Sequence, residues 1–233
     1  MDSGKRFTVL HDDRHLVVVE KSAGLLTVPT ARRETNTLVH LLRRYLARGS
    51  AFGPRLEVVH RLDRDVSGVL VMAKSAEAAE RLRADFAAHR PEREYLAIVA
   101  GVLAADEGTF ANRLVTGKSL QRYSTTDEEA GEDAVTHYWV ERRLRGATLV
   151  RVRLETGRRN QIRVHFAEAG HPILGDTRYR SEQAQHPRWR ARRIALHARL
   201  LAFTHPITGA ALRFESALPA EFGAFLREGR EPR

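Results

Sequence analysis

Apolar and charged residues alternate strictly near residue 150, and this alternation constrains the fold more than any other local pattern in the chain. In the segment from Leu149 to Glu155, every second position is apolar, namely Val150, Val152 and Leu154. Arg151, Arg153 and Glu155 occupy the positions between. A period of two is typical of a strand whose side chains point alternately to opposite faces. The segment therefore predicts a strand with one apolar face and one charged face.

Further strands and three helices are predicted around this segment. The strands are Leu16 to Lys21, Gly68 to Lys74, Glu94 to Ala100, Val135 to Val140, and a hairpin of Ala195 to Phe203 with Ala211 to Glu215. The first helix begins at Thr37 and ends near Gly49. The second begins after Ser75, and the third runs from Asn160 to Ala169. Thr125 to Asp133 is polar and predicts a surface loop. Strands predominate as antiparallel neighbours, so we expect an α+β fold and a single domain over residues 1–233.

The charge balance points to a nucleic-acid partner. The 233 residues include 39 Lys plus Arg and 29 Asp plus Glu, a formal net charge of +10. A positive excess of this size favours binding to nucleic acid, and acidic small molecules remain an alternative. Of the 39 basic residues 35 are Arg, which binds phosphate through two hydrogen bonds and stacks on bases.

Cysteine is absent from the sequence, which excludes disulfides, thiolate metal sites and cysteine nucleophiles. The first residues lack the apolar core of a signal peptide, and no apolar run approaches the roughly 20 residues of a membrane span. We therefore expect a soluble cytoplasmic protein.

Asp63 is the strongest candidate for a reactive group, because it lies among basic residues just before an apolar strand. The adjacent cations Arg61 and Arg64 favour the charged form of this carboxylate. An ionised carboxylate can act as a nucleophile or as a base. A structural ion pair that closes a turn is the ordinary alternative for an isolated Asp beside Arg.

Four ordered segments of the chain carry distinctive motifs. They are VHRLDRDVSGVLV from Val59, LVVVEKSAGLL from Leu16, REYLAIVAG from Arg93, and GRRNQIRVH from Gly157 continuing into GHPILGD. Together they resemble the motifs of the RluA-type pseudouridine synthases, which isomerise chosen uridines in folded RNA. The segment from Val59 resembles the family's H-R-L-D-x-x-(T/S)-S-G signature, with Val66 in place of Thr. Ser22, Arg93 and Asn160 stand where the family usually has Pro, Lys and His. The resemblance covers nearly the full length.

The resemblance implies a pseudouridine synthase fold, with a mixed and mostly antiparallel central sheet flanked by helices and a central RNA-binding cleft. Many members carry an additional N-terminal S4-type module, but here the first motif begins by Asp12. We therefore expect a compact member that selects its target with the catalytic domain itself.

Roles for individual residues also follow from the resemblance. Asp63 matches the essential carboxylate, Arg163 the Arg that pairs with it, and Tyr95 the active-site Tyr. Arg61 matches the side chain that fills the gap left by the flipped base, and Leu196 a residue of the uracil pocket, although core packing accounts for Leu196 almost as well. The further candidate substrate-binding residues in these motifs are His60, Arg64 and Gln161. Hydrogen-bonding scaffold is the competing interpretation for His60, His165 and His171.

The family reaction breaks the C1′–N1 bond of a flipped uridine and rejoins the uracil through C5. A glycal, an acylal at C1′ and addition at C6 remain open as intermediates. Isomerisation consumes no electrons, nucleotide or net water, so the resemblance implies no cofactor and no metal.

Several alternatives remain at the sequence level. A non-catalytic RNA-binding or ribosome-assembly protein of the same fold is one, and a hydrolase that uses Asp63 with Asp65 is another. The second is disfavoured because alternate residues of an extended segment point to opposite faces. The cluster from Arg188 to Arg193 fits either a phosphate-tracking patch with Trp189 as a stacking ring or a solvated basic face. The RNA could be tRNA or ribosomal RNA, and a monomer is the expected state.

Overall fold

A computed structural model describes residues 6–47, 55–117 and 120–228. In chain order its elements are β1 (Phe7–Asp12), β2 (Leu16–Lys21), α1 (Leu38–Leu46), β3 (Glu57–Val58), β4 (Ser67–Ala73), α2 (Ala76–Ala87), β5 (Glu92–Ala100), β6 (Glu107–Thr116), β7 (Arg122–Thr125), β8 (Glu132–Leu144), β9 (Ala147–Leu154), α3 (Gln161–Glu168), β10 (Leu196–Thr204), β11 (Ala211–Glu215) and α4 (Ala220–Glu228). The predicted α+β class is confirmed.

The chain divides into two compact units. Unit 1 comprises Met1–Arg93 and Ala198–Ser216, and unit 2 comprises Glu94–His197 and Ala217–Arg233. The chain passes from one unit to the other within β5 and returns within β10. A single domain over residues 1–233 remains a prediction, because two compact units can belong to one folding domain.

Unit 1 contains strands in the order β1-β2-β4-β10, with β3 paired to β4 and β11 paired to β10. β2 and β4 are antiparallel, with Val18 opposite Val71. Apolar side chains of both strands pack with α2, whose buried residues include Ala79 and Leu82. Ser75 accepts a hydrogen bond from the Ala78 N–H, which confirms the predicted N-terminal cap of α2.

Unit 2 contains the strand order β5-β9-β8-β6-β7, joined by antiparallel pairs between β5, β9, β8, β6 and β7. The alternation in β9 has the predicted consequence, because Val150 and Val152 are fully buried while Arg153 is exposed. Phe166 of α3 lies edge-on to Phe110 of β6, with ring centroids 5.1 Å apart. α3 therefore covers the apolar face of this sheet.

Some elements were not predicted, or have different bounds. β1, β3, β6, β7 and α4 were missed, since β1 and β6 show only partly buried alternation and few strongly apolar side chains. β8 is longer than the predicted Val135 to Val140. The polar Thr125 to Asp133 segment is a loop only over residues 126–131, because its ends belong to β7 and β8. The proposed helix stop at Gly49 lies outside the described residues. Within the described part of the chain, no helix is long and apolar enough to cross a membrane.

Candidate active site

The loop that carries Asp63 is held in place through its backbone. The Thr27 hydroxyl, which is buried, donates to the Leu62 carbonyl at 2.7 Å. The Val66 N–H donates to the Asp63 carbonyl at 3.2 Å. The Asp63 side chain remains half-buried. The loop therefore fixes the position of this carboxylate while leaving part of it accessible.

Lys21 secures the other side of Asp63. Its side chain is fully buried, and its ammonium donates to the carbonyls of Ser22 at 3.0 Å, Leu25 at 2.8 Å and Arg64 at 3.1 Å. The Arg64 carbonyl also accepts from the Gly24 N–H at 2.8 Å. Three carbonyl acceptors replace the water that this ammonium loses on burial. The K-S-A-G-L turn and the Asp63 loop are thus one hydrogen-bonded assembly.

Two sequence features of these motifs have a local explanation. Ser22, in place of the family's Pro, donates its N–H to the Arg6 carbonyl at 3.0 Å, a bond that Pro could not make. Gly68 has φ +118°, and a Cβ there would lie 2.0 Å from the Ala198 carbonyl oxygen. Only Gly fits this position of the signature, because the neighbour is backbone.

The basic residues around Asp63 differ in their surroundings. Arg61 is exposed, and within the described residues no ion pair or hydrogen bond of its side chain is recorded. The Arg64 guanidinium is exposed and pairs with Asp65 at 3.0 Å. Arg61 is therefore the less constrained of the two, as a side chain that enters RNA would need to be.

His60 belongs to the packing of unit 1. Its Nε2 accepts from the Val71 N–H at 3.0 Å, and its ring stacks on Phe86 with centroids 4.4 Å apart. Burial, with a smaller contribution from the Arg93 cation, lowers the pKa of His60 to about 3. The ring is thus a neutral scaffold group at physiological pH, and its contact with substrate remains a prediction.

Tyr95 and Arg163 both lie in unit 2. Tyr95 is buried in β5 opposite Val152. Arg163 is buried on α3, and its Nε and Nη2 donate to the two carboxylate oxygens of Asp176 at 2.7 and 2.8 Å. The ring of Tyr179 lies under the guanidinium, with its centroid 5.1 Å from Cζ. Arg163 is therefore a fixed cation and not a solvated surface charge.

Asn160, which replaces the family's usual His, precedes α3 in a left-handed conformation with φ 58°. Asn is one of the few residues other than Gly that adopt this backbone region readily. Its Nδ2 donates to the Tyr179 hydroxyl at 3.0 Å, and its Oδ1 lies 3.4 Å from Nη1 of Arg163. Asn160 therefore makes a polar contact with both neighbours.

Gln161 has a full set of hydrogen bonds inside unit 2. Its Oε1 accepts from the Thr156 hydroxyl and the Arg158 N–H, at 2.8 and 2.9 Å. Its Nε2 donates to the Val135 carbonyl and the Thr136 hydroxyl, both at 2.9 Å. An amide group has no further donors to offer. The predicted contact of Gln161 with RNA would have to displace one of these bonds.

The other histidines and Leu196 are also enclosed. His165 bridges Thr136 and Asn112, at 2.9 Å each, and burial lowers its pKa to about 4. His171 Nδ1 donates to the Ala100 carbonyl at 2.8 Å. Leu196 is buried at the start of β10. The hydrogen bonds of His165 and His171 are of the kind that holds a structural scaffold. A role of Leu196 in the uracil pocket remains a prediction.

The interpretation of Trp189 as a ring that stacks on bases is wrong. The indole is 8% exposed, lies edge-on to Phe222 and Phe225, and donates its N–H to the Arg193 carbonyl at 2.9 Å. The two aromatic residues that contact its ring belong to α4, a helix that the sequence pattern did not predict. Arg188 also holds this segment, by donating to the Arg145 carbonyl at 3.2 Å.

Thr27, Lys21 and Asp176, which hold the candidate residues in place, were not predicted from the sequence. Asp176 follows Gly175 in a quoted motif, but a motif does not reveal which cation its Asp will meet. Among the described residues, no group of three or more His, Asp or Glu is placed to hold a metal ion. Unit 1 thus contains a half-buried carboxylate on a braced loop, and unit 2 contains a fixed guanidinium and a phenol.

Several proteins with similar sequences are named as pseudouridine synthases. A family model described as RNA pseudouridylate synthase matches residues 15–168, more than half of the chain. The ribosomal large subunit pseudouridine synthase D of Pseudomonas aeruginosa is 38% identical over 235 residues, which cover 96% of this chain and 72% of that protein. The protein of the same name from Zymomonas mobilis is 39% identical, with 91% and 69% covered. The uncharacterized RNA pseudouridine synthase YlyB of Bacillus subtilis is 35% identical, with 96% and 73% covered.

Solved structures share the fold. Human RNA pseudouridylate synthase domain containing 4 superimposes with a TM-score of 0.77 at 25% identity, over 97% of this chain and 94% of that one. Human RNA pseudouridylate synthase domain containing 1 has the same fold, with a TM-score of 0.73 at 23% identity, over 94% and 87%. The resemblance carried by the four motifs is thereby confirmed, and the chain belongs to the RluA-type RNA pseudouridine synthases, enzymes that isomerise uridine in RNA.

Proposed function

We propose that this enzyme isomerises uridine in large-subunit ribosomal RNA, with Asp63 as the catalytic carboxylate. The substrate is inferred from the similarity to the Pseudomonas aeruginosa protein over 96% of the chain. Asp63 is inferred from one observation above all: buried groups hold the carbonyls on both sides of it, while its own side chain stays half-buried. A reactive group that must meet a substrate needs both a fixed position and access.

The reaction begins with removal of the uridine from its stack, which costs a few kcal/mol. Arg61, exposed beside Asp63, fills the gap that the base leaves. Asp63 then acts as nucleophile or base while the C1′–N1 bond breaks. The uracil turns, C5 bonds to C1′, the C5 hydrogen leaves as a proton and N1 gains one. Atoms and electrons balance with no co-reactant.

Arg163 and Tyr95 act on the same nucleotide in this proposal. Arg163 keeps the Asp63 carboxylate charged and oriented. The ring of Tyr95 stacks on uracil, and its hydroxyl helps to remove the C5 proton.

The substrate is tested by mapping pseudouridines in all cellular RNA with and without the gene. We expect one or more positions of large-subunit ribosomal RNA to revert to uridine and to be restored by the wild-type gene. Changes confined to tRNA would refute the proposed substrate. Purified enzyme should then modify the same site in RNA from the deletion strain.

The catalytic assignment is tested by Asp63→Asn, with Asp65→Asn as the matched control two residues away. Asp63→Asn should abolish product and leave RNA affinity within about tenfold, roughly 1.4 kcal/mol. Asp65→Asn removes only the surface pair with Arg64 and should turn over within about threefold of wild type. Product from Asp63→Asn would show that another group carries the reaction.

A cytoplasmic location, a monomer and independence of cofactors complete the proposal. Isomerisation needs no electron or group donor, and the similar proteins named for ribosomal RNA come from bacteria, in which ribosomal RNA is made in the cytoplasm. Light scattering on the purified enzyme should give the monomer mass. Turnover should persist after dialysis against a chelator.

A further inference from the structure

The loop between β2 and α1 carries two arginines, Arg32 and Arg33, at its exposed tip. Residues 29–33 are all exposed. Neither guanidinium forms an ion pair with another residue that the structure describes. Glu34 is committed to the loop itself, because it accepts from the Thr30 N–H at 2.8 Å, and this bond chiefly lowers the pKa of its carboxyl. Two cations and one committed carboxylate leave the loop tip positively charged.

Arg33 adopts a backbone conformation that most side chains disfavour. Its φ is +56°, in the left-handed region. The Arg33 N–H donates to the Thr30 carbonyl at 2.9 Å, and the last position of such a turn favours Gly. His89, the other left-handed residue besides glycine in the described part of unit 1, has a structural reason, because it follows the end of α2. Arg33 follows no helix, and a Gly or Asn in its place would lose only the guanidinium.

The arginine loop is tied to the loop that carries Asp63. Thr27, where the arginine loop begins, donates its hydroxyl to the Leu62 carbonyl at 2.7 Å. The chain returns to the same point, since the Val39 N–H donates to the Thr27 carbonyl at 3.2 Å. Arg33 lies six positions after Thr27, so their Cα atoms are at most about 20 Å apart. Contacts within unit 1 therefore keep both arginines near the proposed catalytic carboxylate.

We propose that Arg32 and Arg33 bind phosphate groups of the RNA strand that flanks the target uridine. The inference rests on the proposed function of Asp63, because the nucleotide that meets this carboxylate determines where the strand lies. A guanidinium matches a phosphate with two parallel hydrogen bonds. Contacts of this kind position a nucleic acid without reading its sequence. Two of them would hold the strand while the uridine leaves its stack.

Two ordinary accounts compete with this proposal. If the loop is only solvated, replacing its arginines changes RNA affinity no more than the loss of any two surface charges does. If the Arg33 side chain instead stabilises the loop, its replacement lowers Tm. The salt dependence of RNA binding, measured beside Tm, separates all three accounts.

The first test combines Arg32→Gln with Arg33→Gln, which removes both charges and keeps polar side chains. The probe is large-subunit ribosomal RNA prepared from cells that lack the gene. We expect the slope of log RNA affinity against log salt to fall by about two, and the affinity at about 0.1 M salt to fall on the order of tenfold. The single-turnover rate at saturating RNA should stay within about threefold of wild type, because neither residue touches the reacting atoms. An unchanged slope, or a rate loss at unchanged affinity, would overturn the proposal.

The matched control combines Arg6→Gln with Arg14→Gln. Both arginines belong to unit 1, are exposed and form no ion pair with another described residue. The control therefore removes the same net charge from a different part of the unit, and its salt slope should change by less than about 0.5. An equal fall of the slope in both double variants would show an effect of net charge alone and would overturn the proposal.

Arg33→Asn separates RNA binding from a role in the fold. Asn adopts the left-handed region readily, so Tm should stay the same or rise, while RNA affinity should fall about fivefold. His89→Asn makes the same change at another exposed, left-handed residue of unit 1 and should leave RNA affinity within about twofold. Unchanged affinity in Arg33→Asn would overturn the proposal. A loss of affinity that comes with a lower Tm would show a loop held by Arg33 and would also overturn it.

Phosphate ethylation interference locates the contacts. Ethylated phosphates that weaken binding to the wild type, but cause no further loss in Arg32→Gln with Arg33→Gln, mark the contacted groups. The span of about 20 Å between Thr27 and Arg33 and a spacing of about 3.4 Å per nucleotide along one strand predict contacts within about ten nucleotides of the modified uridine. Interference confined to a distant strand would overturn the assignment to the flanking strand.

The two proposals fail in different experiments. Product from Asp63→Asn, or modification of tRNA alone, would remove the proposed function whatever the loop variants show. Inactive Asp63→Asn together with an unchanged salt slope in Arg32→Gln with Arg33→Gln would remove only the phosphate contacts of the loop.

Discussion

Thr27→Val is the sharpest probe of how the Asp63 loop is held. Val has nearly the shape of Thr but lacks the hydroxyl, so the change removes one hydrogen bond with little change in packing. That bond joins the buried Thr27 hydroxyl to the Leu62 carbonyl at 2.7 Å, directly before Asp63. The variant therefore tests the brace itself and leaves the carboxylate chemically intact.

The expected cost comes from the carbonyl that loses its donor. A buried polar group left unsatisfied costs about 1–3 kcal/mol, and for a chain of this length each kcal/mol lowers Tm by about 2–4 °C. We expect Tm to fall by roughly 2–12 °C on that basis. The rate of the chemical step should fall about tenfold, because small displacements of a reacting group are costly, while RNA affinity should change less.

Thermal unfolding measures the change in Tm, urea unfolding measures the change in the free energy of unfolding, and single-turnover kinetics on the same preparation measure the rate. Thr30→Val is the matched control, since among the described residues the Thr30 hydroxyl bonds only to exposed Glu34, at 2.8 Å, and to the nearby Arg32 N–H. It should change stability by less than about 0.5 kcal/mol. If Thr27→Val matches Thr30→Val in both stability and rate, the Leu62 carbonyl does not depend on Thr27 and the bracing argument is refuted.

Three further outcomes follow from single features. In the cluster from Arg188 to Arg193, Arg190 and Arg192 are exposed and form no ion pair with another described residue. If both contact phosphates, replacing them by Gln should lower the slope of log RNA affinity against log salt by about two. His165 has its pKa lowered from 6.5 to about 4, so between these values the unfolded chain binds a proton that the folded chain does not. The free energy of unfolding should therefore fall as pH falls. His165 should contribute about 2 kcal/mol of this loss at pH 5, beside a further contribution from His60, so His165→Gln should remove part of the slope of the Tm–pH curve in this range. Gly68→Ala should destabilise by more than about 3 kcal/mol in urea unfolding, because its Cβ would overlap the Ala198 carbonyl.

Each of these outcomes has a control in unit 1 or a contrary result. Arg6 and Arg14 are also exposed and form no ion pair with another described residue. If replacing them by Gln lowers the slope of log affinity against log salt equally, the arginine cluster acts only through its contribution to the net charge. Gly24→Ala has the same kind of positive φ, +81°, but no atom within 4 Å of the added Cβ, so it should cost only about 1 kcal/mol. Identical pH dependence in His165→Gln and wild type would show that another group titrates.

The strands that bury whole runs of apolar side chains could be predicted from sequence. Leu16–Lys21 agrees to the residue, and the strand expected from Gly68 to Lys74 differs by one position at each end. β1 and β6 could not be predicted in the same way, since partly exposed strands owe their pairing to neighbours distant in sequence, as Glu107 does opposite Trp139. The order of apolar and polar residues predicts a strand when its side chains are buried, and the side chains of these strands are only partly buried.

In the candidate site, too, the sequence predicted the residues but not the partners that hold them. The motifs supplied Asp63, Tyr95 and Arg163 as candidates, yet the residues that hold them emerged only from long-range contacts. Lys21 reaches the Arg64 carbonyl across 43 positions, and Thr27 reaches Leu62 across 35. No spacing rule connects positions that far apart.

Trp189 shows why composition misleads when tertiary partners are unknown. An indole among four arginines has the composition of a nucleic-acid patch, but burial against Phe222 and Phe225 removes about as much apolar surface from water as any single side chain can. Arg188 then stacks over Phe225, with Cζ 5.1 Å from the ring centroid. Arg193 likewise lies over Phe222, with Cζ 5.7 Å from the ring centroid. The aromatic residues of α4 thus bind the indole ring and two of its neighbouring cations as parts of the packed structure. Only the cations that α4 leaves outside, such as Arg190, can still meet a phosphate.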